Sequence, residues 1–274
     1  MTQPGSPDDA FDLTLLDRPE IIWSMFFPRR EPSWPTPGTE THFIEVAPGV
    51  RVSCRFFIRG KEFPCVLFFH GNGEIANDYD DFAPLYLSAG LNLFVADYRG
   101  YGESDGTPTV SGLFTDAHPI YRGFRAIVAD GGYAGGVFVM GRSLGNQSAI
   151  ELGAAYQDDL RGLIVESGGL GTFSRLLAGL GLDPDLLERR RMSNRAKAES
   201  IRAPTLHIHA EYDNIIPLDQ GIALYEAVAA TDKRLVIVPG AGHNDIFLVG
   251  AQLYFDALRE FIADHRLVGE SKDA

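Results

Sequence analysis

Apolar and polar positions along this chain follow two periods, and the two take turns. Cys65-Val66-Leu67-Phe68-Phe69 and Val137-Phe138-Val139-Met140 are unbroken apolar runs, the pattern of strands buried on both faces of a parallel sheet. Asn92 to Ala96, Gly162 to Val165, Thr205 to His209 and Leu235 to Val238 read the same way. Between such runs apolar residues return at three- and four-residue steps. From Ser111 onward, Leu113, Ala117, Ile120, Tyr121, Phe124, Ile127 and Val128 predict a long amphipathic helix that Pro119 should kink or restart. Asn77, with Asp80 three residues on, resembles an N-cap opening a helix through Leu87 that Gly90 stops. Further helices are expected over 218–230 and 245–265, and Thr41 to Val46 with Val50 to Ile58, around Ala47-Pro48-Gly49, predict a β-hairpin. Strand and helix alternate throughout, which implies an α/β fold with a mainly parallel sheet in one domain over 1–274.

Two stretches break the alternation. Residues 1–40 form an N-terminal extension whose first 20 residues, polar and proline-punctuated, are expected to lie loosely on the surface. Ile21 to Trp34 carries Trp23, Phe26, Phe27 and Trp34 between prolines. It is either a segment packed over the sheet edge, the reading we favour, or a hydrophobic wall of a substrate pocket. Residues 168–202 read as a small cap inserted after a strand. Within them Arg189, Arg190, Arg191, Arg195, Lys197 and Arg202 face only Glu188 and Glu199, as a solvated helix face or, less simply, as an attractor for anionic substrates.

Composition narrows the class. With 274 residues, 45% hydrophobic and 22% charged, the chain has the make-up of an ordinary soluble protein with apolar mass for a large core. Its apolar stretches fall far short of the roughly 20 residues that cross a bilayer. Met1 to Asp12 carries three aspartates and no basic or apolar signal region, so a cytoplasmic location is expected. A net charge of −13 argues against nucleic acid as a partner and leaves a small molecule as the expected one, with the oligomeric state open. Cys54 and Cys65, lacking metal-site spacing, read as reduced, strand-buried thiols.

The candidate chemistry centres on Gly141-Arg142-Ser143-Leu144-Gly145, which follows a buried strand at once and opens a helix marked by Ala149, Ile150, Leu152 and Ala155. Such a turn holds a serine in a strained conformation with its hydroxyl exposed above the sheet, and Gly141 and Gly145 omit side chains that would keep strand and helix apart. A serine hydroxyl needs a general base, and the base needs an orienting group. His243, in a glycine-rich loop after the last strand, and Asp213, four residues beyond the preceding strand, supply both in the order Ser143, Asp213, His243. Glu211 is the rival acid. His42, His265 and His118 lie in peripheral or kinked elements, while Asp219 and Asp232 read as helix-terminal charges. An oxyanion would be met by the Leu144 N–H and by an N–H of the loop His70-Gly71-Asn72-Gly73-Glu74, where Asn72 is the choice. His70 then bonds loop backbone, and Gly71 and Gly73 allow close approach. His207-x-His209-x-Glu211 is a competing pattern for a divalent metal, but nothing accompanies it at comparable strand ends, so no metal or other cofactor is expected.

These residues resemble the α/β-hydrolase superfamily and, within it, the Bem46-like branch with the α/β-hydrolase-domain 13- and 17-type serine hydrolases. The resemblance rests on His70-Gly71-Asn72-Gly73, Asp97-Tyr98-Arg99-Gly100-Tyr101-Gly102 with Ser104 and Gly106, Gly141 to Gly145, Asp213 with Ile216-Pro217, and Gly242-His243, spread over residues 40–265. It implies an eight-stranded sheet of order 1-2-4-3-5-6-7-8, which would separate the strands of Cys54 and Cys65. Asn146, Ala210 and Glu74 depart from the pattern, and Glu74 could disfavour anionic substrates. The implied activity is a serine hydrolase of carboxylic esters or thioesters. A peptidase or amidase is the near rival, and a non-catalytic acyl- or lipid-binding protein or a metal-dependent hydrolase using His207 and His209 are the distant ones.

Overall fold

In a computed structural model of the chain, residues 13–34, 36–179, 181–185 and 193–267 are described, and the architecture below concerns those residues. Eight strands form one sheet: β1 (Thr39–Ala47), β2 (Val50–Phe57), β3 (Cys65–Phe69), β4 (Asn92–Ala96), β5 (Val137–Arg142), β6 (Gly162–Glu166), β7 (Thr205–Ala210) and β8 (Lys233–Val238). Their order is β1-β2-β4-β3-β5-β6-β7-β8. The hairpin β1/β2 and the β2/β4 pair are antiparallel, and every other pair is parallel. The chain has the α/β-hydrolase fold.

The helices are α1 (Pro19–Met25), α2 (Ala83–Ser88), α3 (Val110–Thr115), α4 (Ala117–Asp130), α5 (Asn146–Ala155), α6 (Thr172–Gly179), α7 (Asn194–Ala198), α8 (Leu218–Ala227) and α9 (Ile246–His265). Period-2 geometry divides each buried strand between two cores. In β3, Cys65, Leu67 and Phe69 join the layer of α3, α4 and α5, while Val66 and Phe68 join that of α2 and α9. The helix from Ser111 breaks at Asp116 and restarts with Pro119 in the first turn of α4, where a missing N–H costs nothing. Cys54 and Cys65 are buried free thiols on strands that β4 separates.

Three expectations change. The helix expected from Asn77 is instead a 3₁₀ turn (Ala76–Asp80) followed by the short α2. Asp80 does not cap; it forms an ion pair at 2.6 Å with Arg55, a cation 1% exposed that would otherwise be buried uncompensated. Residues 13–20 are not loose, because Leu16 is buried and the Asp17 carboxylate accepts the Ser111 N–H at 2.9 Å in the first turn of α3. Among the six cations of 189–202, Arg189, Arg190 and Arg191 lie outside the described residues. Lys197 is no part of a solvated face: it is buried, 2.7 Å from Glu151 on α5 and 4.0 Å from the Phe114 ring centre.

Candidate active site

Parallel strands deliver their carboxyl ends to one edge of the sheet, and loops leaving that edge can converge. Here β3, β5, β7 and β8 do so. At the end of β5, Ser143 has φ of +50°, one of two non-glycine residues in the left-handed region among those described. That conformation is strained for an L-residue and turns the side chain out of the helix path. The turn closes because both its glycines lack Cβ. One at Gly145 would lie 2.0 Å from the Phe69 carbonyl oxygen, and one at Gly141 would lie 2.7 Å from the Gly145 backbone. Asn146, the departure from the family pattern, donates to the carbonyls of Ser143 (3.1 Å) and Glu166 (2.7 Å), tying the turn to the end of β6.

Ser143 Oγ lies 2.9 Å from His243 Nε2, and His243 Nδ1 lies 2.7 Å from Asp213 Oδ2. Asp213 Oδ1 accepts the N–H groups of Ile216 (2.7 Å) and Ile215 (3.0 Å), which aim Oδ2 at the imidazole. Burial works to raise the Asp213 pKa, but the bond from His243 and those two N–H groups hold it below the ordinary value. A carboxylate so placed keeps Nδ1 protonated and Nε2 free to accept from the serine. Glu211, the rival acid, points elsewhere and accepts the Gly240 N–H at 2.8 Å.

The loop after β3 closes the opposite side. His70 is fully buried; its Nδ1 bonds the Gly71 carbonyl (2.8 Å) and its Nε2 bonds Asp97 (3.1 Å), a backbone-holding arrangement. Gly73 turns the loop with φ of +80°, and Gly71 leaves room for the Glu74 carboxylate, which accepts the Gly71 N–H at 3.0 Å. The Asn72 side chain is held by the N-terminal segment: Nδ2 donates to the Met25 carbonyl (2.6 Å), and Oδ1 accepts from the Phe27 N–H (3.0 Å) and Tyr101 OH (2.9 Å). Arg29 adds a bond to the Gly73 carbonyl at 3.3 Å.

These parts enclose a cavity of about 470 Å³ lined by Ser143, Leu144, Asn72 and His243 on its reacting side and by Met25, Phe27, Phe173, Ile215 and Ile216 on its apolar side. The N-terminal segment therefore walls the pocket. The segment also packs, since Ile21 and Phe26 are buried in the core; Asn72 holds Met25 and Phe27 on the loop, while Trp23 and Trp34 are exposed. Sequence reasoning did not single out Met25, Phe173 or Ile215 as pocket residues. It also gave Arg142 no role, although a cation ending an otherwise apolar buried strand is a visible signal. Of the metal pattern, His209 Nε2 bonds the Ile216 carbonyl (2.8 Å) and Glu211 the Gly240 N–H. Burial pushes the fully buried His207 down to about 3. His207 packs edge-on against the Tyr225 ring, with centres 5.5 Å apart, so the three side chains have separate surroundings.

Comparison with known proteins agrees with this architecture. The family model described as serine aminopeptidase, S33, matches residues 60–178. The human α/β-hydrolase domain-containing protein 17B is 29% identical over 271 residues, covering 94% of this chain and 88% of that protein. Among solved structures, an esterase of Pyrococcus furiosus superposes with a TM-score of 0.70 at 18% identity, covering 87% of this chain and 98% of its own. A monoacylglycerol lipase of Paleococcus ferrophilus does so with a TM-score of 0.57 at 23% identity, covering 78% and 99%. By sheet order and elbow the chain has the α/β-hydrolase fold, and in sequence it is similar to α/β-hydrolase domain-containing proteins over most of its length.

Proposed function

We propose that the protein is a serine hydrolase of acyl compounds, cleaving a carboxylic ester or thioester through an acyl-enzyme intermediate. The observation that carries this reading is the unbroken relay Asp213–His243–Ser143, at 2.7 and 2.9 Å, opening into a cavity with an apolar wall. Ser143 Oγ attacks the substrate carbonyl carbon as His243 Nε2 takes its proton. The oxyanion that forms is met by the N–H groups of Leu144 and Asn72. His243 then returns the proton to the departing alcohol or thiol, and a water activated by the same nitrogen releases the acid and frees Ser143. Asp213 holds the imidazole and stabilises its cation. Met25, Phe27, Phe173, Ile215 and Ile216 offer the acyl chain an apolar surface, Phe173 coming from α6 in the stretch expected to form a small cap. This chemistry uses no metal or organic cofactor. A fluorophosphonate probe should add to Ser143, and Ser143→Ala should abolish both labelling and ester hydrolysis with little change in Tm; equal labelling of the variant contradicts the reading. The peptidase alternative has its support in the family match and is separated by rates on matched ester and amide substrates.

A further inference from the structure

Arg142 stands between the apolar strand β5 and Ser143, with a side chain only 7% exposed, and it takes no part in the relay. Its Nε lies 3.3 Å from both Glu74 Oε1 and Glu166 Oε1, and its Nη2 donates to the His243 carbonyl at 3.2 Å. Each partner belongs to a different loop or strand end. Glu74 carries the link on: its Oε2 accepts the Gly71 N–H (3.0 Å) and the Tyr79 OH (2.7 Å). Glu166, fully buried, accepts the Tyr254 OH at 2.8 Å, and Tyr254 meets Tyr86 at 3.2 Å. One guanidinium therefore touches the His243 loop, the end of β6 and, through Glu74, the loop that bears Asn72. With Glu74 and Asn244 it lines both the 470 Å³ cavity and a neighbouring one of about 410 Å³.

A buried cation flanked by two carboxylates is a poor way to gain stability, since desolvation offsets most of the attraction and an apolar side chain would do as well. A rigid planar guanidinium is, by contrast, a good spacer between two carboxylates that face its charge and a carbonyl that takes its hydrogen bond. Resting on the serine-hydrolase reading above, we infer that Arg142 is a positioning residue. It sets the Asn72 loop and the His243 loop at their working distance on either side of Ser143. A misplacement of about 1 Å in such a site lowers turnover on the order of 10²-fold, and the loss falls on the chemical step more than on binding.

The test uses the full chain and p-nitrophenyl butyrate, with competent sites counted by fluorophosphonate titration of Ser143. Arg142→Ala should lower kcat per titrated site about a hundredfold, leave KM within about threefold, and recover about tenfold when millimolar guanidinium is added but not sodium at equal ionic strength. Arg142→Lys, with the charge but not the fork, should recover little. A kcat within about threefold of wild type, or a loss that guanidinium fails to repair, overturns the inference. If Arg142→Ala does not fold, Glu74→Leu decides, because Glu74 is partly exposed and its loss cuts the path from Arg142 to Gly71 and Tyr79 while leaving Arg142 its contacts with Glu166 and the His243 carbonyl. A kcat about tenfold lower with KM unchanged supports the inference, and an unchanged kcat overturns it. Failure of wild type to titrate would remove the serine-hydrolase reading and this inference together, whereas normal titration with unaltered Arg142 variants removes this inference alone.

Discussion

The Ser143 elbow and the N-terminal segment meet at one cavity from opposite sides, and they are held by different means. The elbow is buried backbone: β5 is apolar along its length until Arg142, the turn packs at Gly145 directly on the Phe69 carbonyl of β3, and α5 packs on β5 with Ala149 against Gly141 and on β6 with Gly153 against Leu163. The segment 19–34 has little core of its own beyond Ile21 and Phe26, and is held by polar bonds to Asn72, Gly73, Tyr101 and Asp78. Close packing makes a rigid support, since misfit costs energy steeply; a few hydrogen bonds, each adding on the order of 1 kcal/mol, make one that can be loosened without unfolding the core. The elbow should therefore govern the chemical step, and the segment the shape of the pocket and the pose of Asn72.

Substitutions can break that division. The largest effect belongs to the relay: Asp213→Asn should lower kcat on the order of 10⁴-fold while Glu211→Gln changes it little, in steady-state assays of a small ester. The reverse ranking would move the acid to Glu211. Next comes Asn72→Ala, which keeps the backbone N–H but removes all three side-chain bonds to the segment and Tyr101. It should cost kcat roughly 10- to 100-fold with an unchanged Tm, and a fall in Tm without loss of kcat would make Asn72 structural only. Phe27→Ala, on the apolar wall, should raise KM about tenfold for a butyrate ester and leave kcat alone, in line with the roughly 1–3 kcal/mol that pocket methylenes contribute.

The smallest effect concerns the support beneath the elbow. Glu151 on α5 meets Lys197 of α7 at 2.7 Å and His118 of α4 at 3.3 Å. Burial works to raise its pKa, but the His118 bond and the Lys197 charge bring it down to about 2 from 4.5. A carboxyl whose folded pKa is depressed stabilises the fold above its unfolded pKa and loses that contribution as pH falls through the folded value. Thermal melts should thus show wild type losing on the order of 2 kcal/mol between pH 4.5 and 2 that Glu151→Gln does not lose. Parallel curves would mean that the contact is neutral.

The two supports also differ in how far they could be read in advance. The elbow was legible because strand, turn and helix are contiguous and each half carries its own period. Asp213 and His243 were legible because each sits a few residues past an apolar strand. The segment was not, since its decisive bonds join residues 45 and 74 positions apart and leave no mark on local pattern. Its two tryptophans drew attention, yet neither lines the cavity, whereas Met25 and the half-open Phe27 beside them do. Asn77 misled in the same way: its side chain donates to the Pro32 carbonyl and meets Ser33, so a residue read as a helix cap serves a contact with the N-terminal segment. Arg142 was visible as a cation at the end of a buried strand, but only the positions of Glu74 and Glu166 show what it joins.

The account stands or falls on whether Ser143 carries the acyl group. Rapid mixing of the protein with excess p-nitrophenyl butyrate, acid quench and peptide mass spectrometry reads this directly. The account predicts a burst of nitrophenol approaching one equivalent per site if deacylation is the slower step, and in any case a butyryl mass on the peptide containing Ser143 that Ser143→Ala lacks. Steady turnover with the butyryl group on another residue, or by a Ser143→Ala variant as active as wild type, would contradict it.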